Sequence, residues 1–148
     1  MMKAVTPRAY RIQPVRFAEH EADIRAVREA VFIVEQGIPA ELEWDTQDAI
    51  AQHVLAYDNQ HNPVGTARML VNGRIGRMAV LAPWRRQGVG GAMLVQLLDL
   101  ARAQGLKQVY LSAQSQAMPF YQRHGFKPKG PTYQEVGILH QKMTCRLR

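Results

Sequence analysis

The segment that most restricts the folds open to this chain is Arg77–Gly91, RMAVLAPWRRQGVGG. An apolar, strand-like run enters it, and Pro83, which has no N–H to give to a sheet ladder, closes that strand. Two arginines and three glycines follow. A helix is then predicted over Ala92–Ala103, with apolar positions at 90, 93, 94, 97, 98 and 101 and with Gln96, Asp99 and Arg102 on the opposite face. Strand, glycine-rich turn and helix N-terminus together make an anion site. Small residues let the backbone approach closely, the free amides of the first helical turn point at the ligand, and the helix dipole favours negative charge. Arg85 and Arg86 add full positive charges beside those partial ones.

Two familiar phosphate loops are excluded by residue identity. A nucleotide-hydrolysing loop needs Lys and then Ser or Thr after its last glycine, and neither Gly90 nor Gly91 is followed by Lys. A dinucleotide fingerprint needs a third glycine where Met93 stands.

A length of 148 residues suits one domain, 1–148, with a single substantial core. The longest near-apolar helix candidate contains Gln96 and Asp99, so no membrane-spanning segment is expected. Met1–Tyr10 has no apolar block behind its basic residues and does not read as a secretory signal. The lone Cys145 cannot form an internal disulfide, which fits a cytoplasmic setting and a buried thiol. The net charge of +7 makes a polyanionic partner plausible, but no run of five or six basic residues occurs. A basic nucleic-acid module should show clustered Lys and Arg interleaved with aromatics, and this chain does not. The histidines and the cysteine show no paired ligand spacing, so no metal is expected.

Along the chain, Tyr10–Phe17 reads as a first strand and Glu21–Gln36 as an amphipathic helix ended by Gly37 and Pro39. The last part of that helix is apolar on nearly all sides and is expected to lie against other structure. Pro39–Ala49 reads as an acidic loop holding Glu41, Glu43, Asp45 and Asp48. It is either a solvated loop or a wall that attracts a cationic amine. His53–Tyr57 and Val64–Val71 are predicted strands, and Asn72-Gly73 turns into a third, Arg74–Val80. Gly105 stops the long helix, and Lys107–Ala113 is a strand parallel to the one before it. Ser115–His124 reads as a short helix, Pro128 and Pro131 as breaks, and Gly137–Leu147 as a last strand with Leu139, Met143 and Leu147 as its more apolar positions. The expectation is an α/β (α+β) architecture: a mixed central sheet of about six or seven strands flanked by helices.

The Arg85-x-x-Gly88-x-Gly90 loop resembles the acetyl-CoA loop of the GNAT acetyltransferases. Ala117-Met118-Pro119-Phe120-Tyr121, running on to Gly125-Phe126, is similar to that family's second signature. Val31-Phe32-x-Val34-Glu35-Gln36, Leu111-Ser112-Ala113-Gln114 and Glu135-Val136-Gly137-Ile138-Leu139-His140 resemble an ElaA-like or YjcF-like bacterial subgroup. The resemblance covers essentially the whole chain and implies the GNAT acyl-CoA N-acyltransferase fold. It also implies acetyl-CoA as cosubstrate and an amine as acceptor. In that reading the strand end Met78-Ala79-Val80 holds the pantetheine arm and the thioester carbonyl. Arg85, Arg86, Gln87, Gly88, Val89, Gly90 and Gly91 cradle the pyrophosphate. Phe120 and Gln114 lie on the cofactor side, with Gln114 standing where many members carry Asn, and Leu139 replaces a proline usual in the subgroup. Tyr121 sits near the sulfur and protonates the leaving thiolate, a role suited to a phenol that stays protonated at neutral pH. The base that deprotonates the amine is left open among Glu35, Glu43, His53, Glu135 and His140. Oligomeric state is open too, a homodimer included. A non-catalytic acyl-CoA sensor on the same fold is the first alternative function, and a small basic nucleic-acid-binding module, which the scattered charge disfavours, is the second.

Overall fold

The computed structural model describes residues 9–148, so the reading of the first eight residues lies outside the described residues. Among the described residues seven strands form one sheet in the order β1-β2-β3-β4-β5-β7-β6. β1 (Tyr10–Val15), β2 (Gln52–Asp58), β3 (Pro63–Met69) and β4 (Arg74–Val80) form an antiparallel meander. β5 (Gln108–Gln114) runs parallel to β4, and β7 (Ile138–Arg146) and β6 (Lys127–Glu135) follow it antiparallel.

The helix between β4 and β5, here α3 (Val89–Ala103), buries Met93, Leu94, Leu97, Leu98 and Ala101 against the sheet. Its start lies three residues earlier than the pattern suggested. Its end is local chemistry: Gly105 adopts φ 79°, its amide bonds the Arg102 carbonyl at 3.0 Å, and the Leu106 amide bonds the Ala101 carbonyl at 3.1 Å. That pair of bonds satisfies carbonyls the helix would otherwise leave orphaned.

The first helix differs from the expectation. α1 (Phe17–Arg28) begins four residues earlier, and Glu29–Glu35 continues it as a π-helical segment. Val31 and Phe32 pack with Val27 and Ala79, as an apolar segment should, but Val34 is 75% exposed. The acidic stretch is not a plain loop: it holds α2 (Ala40–Glu43) and a 3-10 turn, Thr46–Ala49. In the second signature, a 3-10 turn at Ser115–Ala117 precedes α4 (Met118–Arg123).

Strand β6 was missed, because Pro128 and Pro131 read as breaks. It is an edge strand, exposed throughout, where prolines are tolerated. Its register with β7 jumps between Pro128 and Thr132, and the buried Gln141 amide donates to the carbonyls of Lys129 and Gly130 inside that bulge. Leu139, expected among the apolar positions of β7, is 43% exposed beside the hairpin turn, while Met143 is fully buried.

That turn carries Val136 and Gly137 at φ 51° and 73°, the positive pair a type I′ turn requires. A β-branched residue is strained there. Val136→Asn is expected to raise stability by about 1 kcal/mol, or roughly 2–4 °C in Tm, and a lower Tm would refute the strain.

Candidate active site

β4 and β5 pair only at Arg74–Tyr110 and Ile75–Leu111; beyond Ile75, β4 has no β5 partner. The strands part there, and the opening is a cleft of about 530 Å³. Gly76, Arg77 and Met78 line one wall and Leu111, Ser112 and Gln114 the other; Tyr121 and His140 lie at the same cleft.

A bulge shapes the β4 wall. Thr66 pairs with Ala79 and Arg68 with Gly76, so Arg77 and Met78 share the space opposite Ala67. Arg77 takes φ 49°, a left-handed backbone unusual for a side-chain-bearing residue. Its guanidinium is tied down, 3.3 Å from the Glu43 carboxylate and donating to the Glu43 carbonyl at 3.2 Å.

Glu43 belongs to a buried network that sequence reasoning missed. Arg28 Nε donates to Glu43 at 2.7 Å and its Nη1 to Asp48 at 2.7 Å, and Nη2 reaches the Glu43 carbonyl at 2.8 Å. Arg68 donates to Asp45 and Asp48 at 2.7 Å each. Arg25 and Arg28 lie over the Trp44 ring, 4.3 and 4.8 Å from its centre. The acidic stretch is therefore neither a solvated loop nor an open anionic wall. Glu43, Asp45 and Asp48 are matched by three arginines, and only Glu41 makes no ion pair among the described residues. Asp45 is held down at about 2, chiefly by its hydrogen bonds from Arg68, whereas burial pushes Glu43 upward against the pull of Arg28 and Arg77. One signal was available: Arg28 stands four residues after Ile24 on the apolar stripe of α1, where a charge must find a buried partner.

The glycine loop lies at the other end of β4. Arg85 is spoken for: Nε donates to the Val80 carbonyl at 2.9 Å, and the guanidinium grips Glu35 at 2.7 and 2.6 Å. Its charge is thus neutralised, and Glu35 is held below its ordinary range by that arginine. Arg86, at φ 61°, is exposed and forms no ion pair among the described residues. Gly88 at φ 85° precedes α3, whose first helical bond runs from the Ala92 amide to the Gly88 carbonyl. The amides of Val89, Gly90 and Gly91 therefore lie ahead of the first helical bond. A Cβ on Gly90 would meet the Phe120 ring at 3.5 Å and one on Gly91 the His124 ring at 3.3 Å, so small residues let α4 approach this helix start.

Tyr121 stands between the two regions. Its ring packs edge-on against Phe120 and Phe126, at centroid distances of 5.0 and 5.9 Å. Its hydroxyl finds only the Met78 sulfur, at 3.8 Å, among the described residues. Thioether sulfur is a weak acceptor. Burial pushes this phenol up to about 12, so it is protonated across the physiological range.

The base candidates separate in space. Glu43, Glu135 and His140 line the cleft. Glu35 is paired with Arg85 outside the cleft lining. His53 is buried away from it, with Nε2 2.8 Å from the Asp48 carbonyl, and burial lowers its affinity for a proton. Gln114 lines the cleft and donates to the Gln36 amide oxygen at 3.1 Å. Among the described residues no helix is long and apolar enough to cross a membrane, and no cluster of three or more His, Cys, Asp or Glu is arranged to hold a metal.

The family model of the acetyltransferase (GNAT) domain matches residues 19–147. Over 129 residues the chain is 36% identical to the "Uncharacterized N-acetyltransferase YjcF" of Bacillus subtilis (strain 168), covering 84% of this chain and 91% of that protein. Among solved structures, Escherichia coli ElaA superposes with a TM-score of 0.82 at 29% identity, over 93% of this chain and 99% of that one. An acyl-CoA N-acyltransferase from Pseudomonas aeruginosa superposes with a TM-score of 0.80 at 27% identity, again over 93% and 99%. The family match takes in the splayed sheet, the glycine loop and the second signature alike, and the chain belongs to the GNAT acetyltransferase family, with its likeness to YjcF and ElaA marking the subgroup.

Proposed function

We propose that this chain works as one N-acetyltransferase domain, moving the acetyl group of acetyl-CoA directly to a primary amine. The observation that carries the reading is the Tyr121 hydroxyl: half-buried, bonded to nothing stronger than a thioether, and part of the lining of the opening between β4 and β5. A donor left without a strong partner in such a cleft is available to a leaving group.

The donor chemistry at the start of α3 suits a pyrophosphate. The amides of Val89, Gly90 and Gly91, the end of a fifteen-residue helix dipole and the unpaired Arg86 all favour an anion. Bound acetyl-CoA supplies the activated acyl carbon. Met78 and Val80 offer backbone groups to its arm, Gln114 and Phe120 flank it, and Tyr121 gives a proton to the departing sulfur. Arg85 acts by fixing the loop to Val80 and Glu35 rather than by meeting phosphate.

Titration calorimetry with acetyl-CoA tests the reading. The parent protein is expected to bind, and Arg86→Glu to bind at least about tenfold more weakly, the loss of one charge-assisted contact. Arg86 is a better choice than Gly88, where any side chain would add backbone strain and meet the Tyr10 hydroxyl at 3.1 Å. A folded parent that binds no acetyl-CoA would overturn the proposal.

A further inference from the structure

We propose that His140 is the base that takes the proton from the acceptor amine, its tautomer fixed by the Ile138 carbonyl. The proposal rests on the acetyltransferase reading above and names the residue that reading leaves unassigned.

The argument begins at Nδ1, which lies 2.7 Å from the Ile138 carbonyl oxygen. A carbonyl has no proton to give, so Nδ1 carries the hydrogen and donates it. In the neutral ring Nε2 is then bare, with a lone pair ready to accept. The ring cannot readily turn away from this arrangement. His140 pairs in register with Gln114 on one side and Tyr133 on the other, so it sits on the middle strand of three. Tyr133 stacks on the imidazole at 5.9 Å and 22°, and its own hydroxyl is bonded to Ser112. The side chain is only 12% exposed, yet it lines the cleft that Tyr121 lines.

The remaining groups favour a proton arriving at Nε2. Glu135 Oε2 lies 3.9 Å from Nε2, close enough to stabilise an imidazolium once it forms. β5 faces His140 with neutral Ser112 and Gln114, β6 with Glu135 and Tyr133, β7 itself carries Lys142 two positions on, and α4 brings Tyr121. The other carboxylates lining the cleft are already paired: Glu43 receives Arg28 and Arg77, and Asp45 receives Arg68 and Arg77.

The step balances. The amine nitrogen forms the new C–N bond and gives its proton to Nε2, while the thioester C–S bond breaks and the sulfur takes the Tyr121 proton. Exchange with solvent then returns both side chains to their starting states.

The test follows thiol release from acetyl-CoA with four amines: spermidine, glucosamine, Nα-acetyl-lysine amide and an alanine-terminated peptide. His140→Asn keeps an N–H for Ile138 and lacks the Nε2 lone pair. It is expected to lower kcat/KM on the order of 10²–10⁴-fold, to lose the acid limb of the pH–rate profile, and to bind acetyl-CoA as the parent does. Added imidazole should restore part of the activity of His140→Ala, which it would not do for a merely structural histidine. Glu135→Gln, which leaves the Nδ1–Ile138 bond in place, should lower kcat/KM with acetyl-CoA binding unchanged, and unchanged turnover would count against the proposal even if the His140 variants fold poorly. Parent turnover together with an intact acid limb in His140→Asn overturns this proposal alone. A parent that binds acetyl-CoA but acetylates none of the four amines overturns the acetyltransferase reading, and this proposal with it.

Discussion

Tyr121→Phe is expected to lower kcat by roughly two to four orders of magnitude while leaving acetyl-CoA affinity and Tm nearly unchanged. The asymmetry follows from what the hydroxyl touches. In the folded protein it meets only the Met78 sulfur, at 3.8 Å, so its removal breaks no strong bond and leaves no buried donor orphaned. The ring contacts with Phe120 and Phe126 survive in phenylalanine. What disappears is a hydroxyl at the cleft whose proton is not engaged by a strong acceptor. Because burial holds the phenol at about 12, the parent should show no loss of this proton donor below roughly pH 10. Steady-state thiol release and calorimetry on the same preparations decide the matter. Unchanged turnover would remove Tyr121 from the chemistry, and acetyl-CoA binding without any turnover in the parent would favour the sensor function.

Arg28→Ala should produce the largest loss of stability, about 3–5 kcal/mol, read as a fall in Tm of roughly 10 °C or more. Arg28 is 1% exposed and its three nitrogens serve the Glu43 carboxylate, the Glu43 carbonyl and Asp48. Alanine would leave two buried carboxylates short of a partner and a cavity under the Trp44 ring. Arg28→Lys should not rescue it, since one ammonium cannot span three acceptors in that geometry. The loss bears on function as well as folding. Glu43 also anchors Arg77, which holds a left-handed backbone at the β4 bulge, so variants that remain folded at low temperature should still turn over slowly. A Tm within about 2 °C of the parent, measured by thermal denaturation, would show the network to be dispensable.

Features written in short stretches of sequence were legible without the structure. The bounds of β4, the apolar face and glycine stop of α3, the anion-suited loop between them and the order of most elements follow from periodicity and from residues that act on their immediate neighbours. The edge strand β6 was hidden because its prolines signal a break, and only its place at the sheet margin, with Gln141 filling the bulge, makes them acceptable. The acidic stretch could not be read at all from its own residues, since its charges are cancelled by Arg28, Arg68 and Arg77 on other elements. Which of the five candidate bases share the cleft with Tyr121 was equally out of reach. Strand pairing sets His140 between Gln114 and Tyr133, buries His53 elsewhere and couples Glu35 to Arg85 across 50 positions of chain. Sequence determined what each segment would form because backbone propensity and side-chain spacing act locally. Tertiary structure alone decided which charges meet and which candidate bases line the cleft, because those depend on distances between residues far apart in the chain.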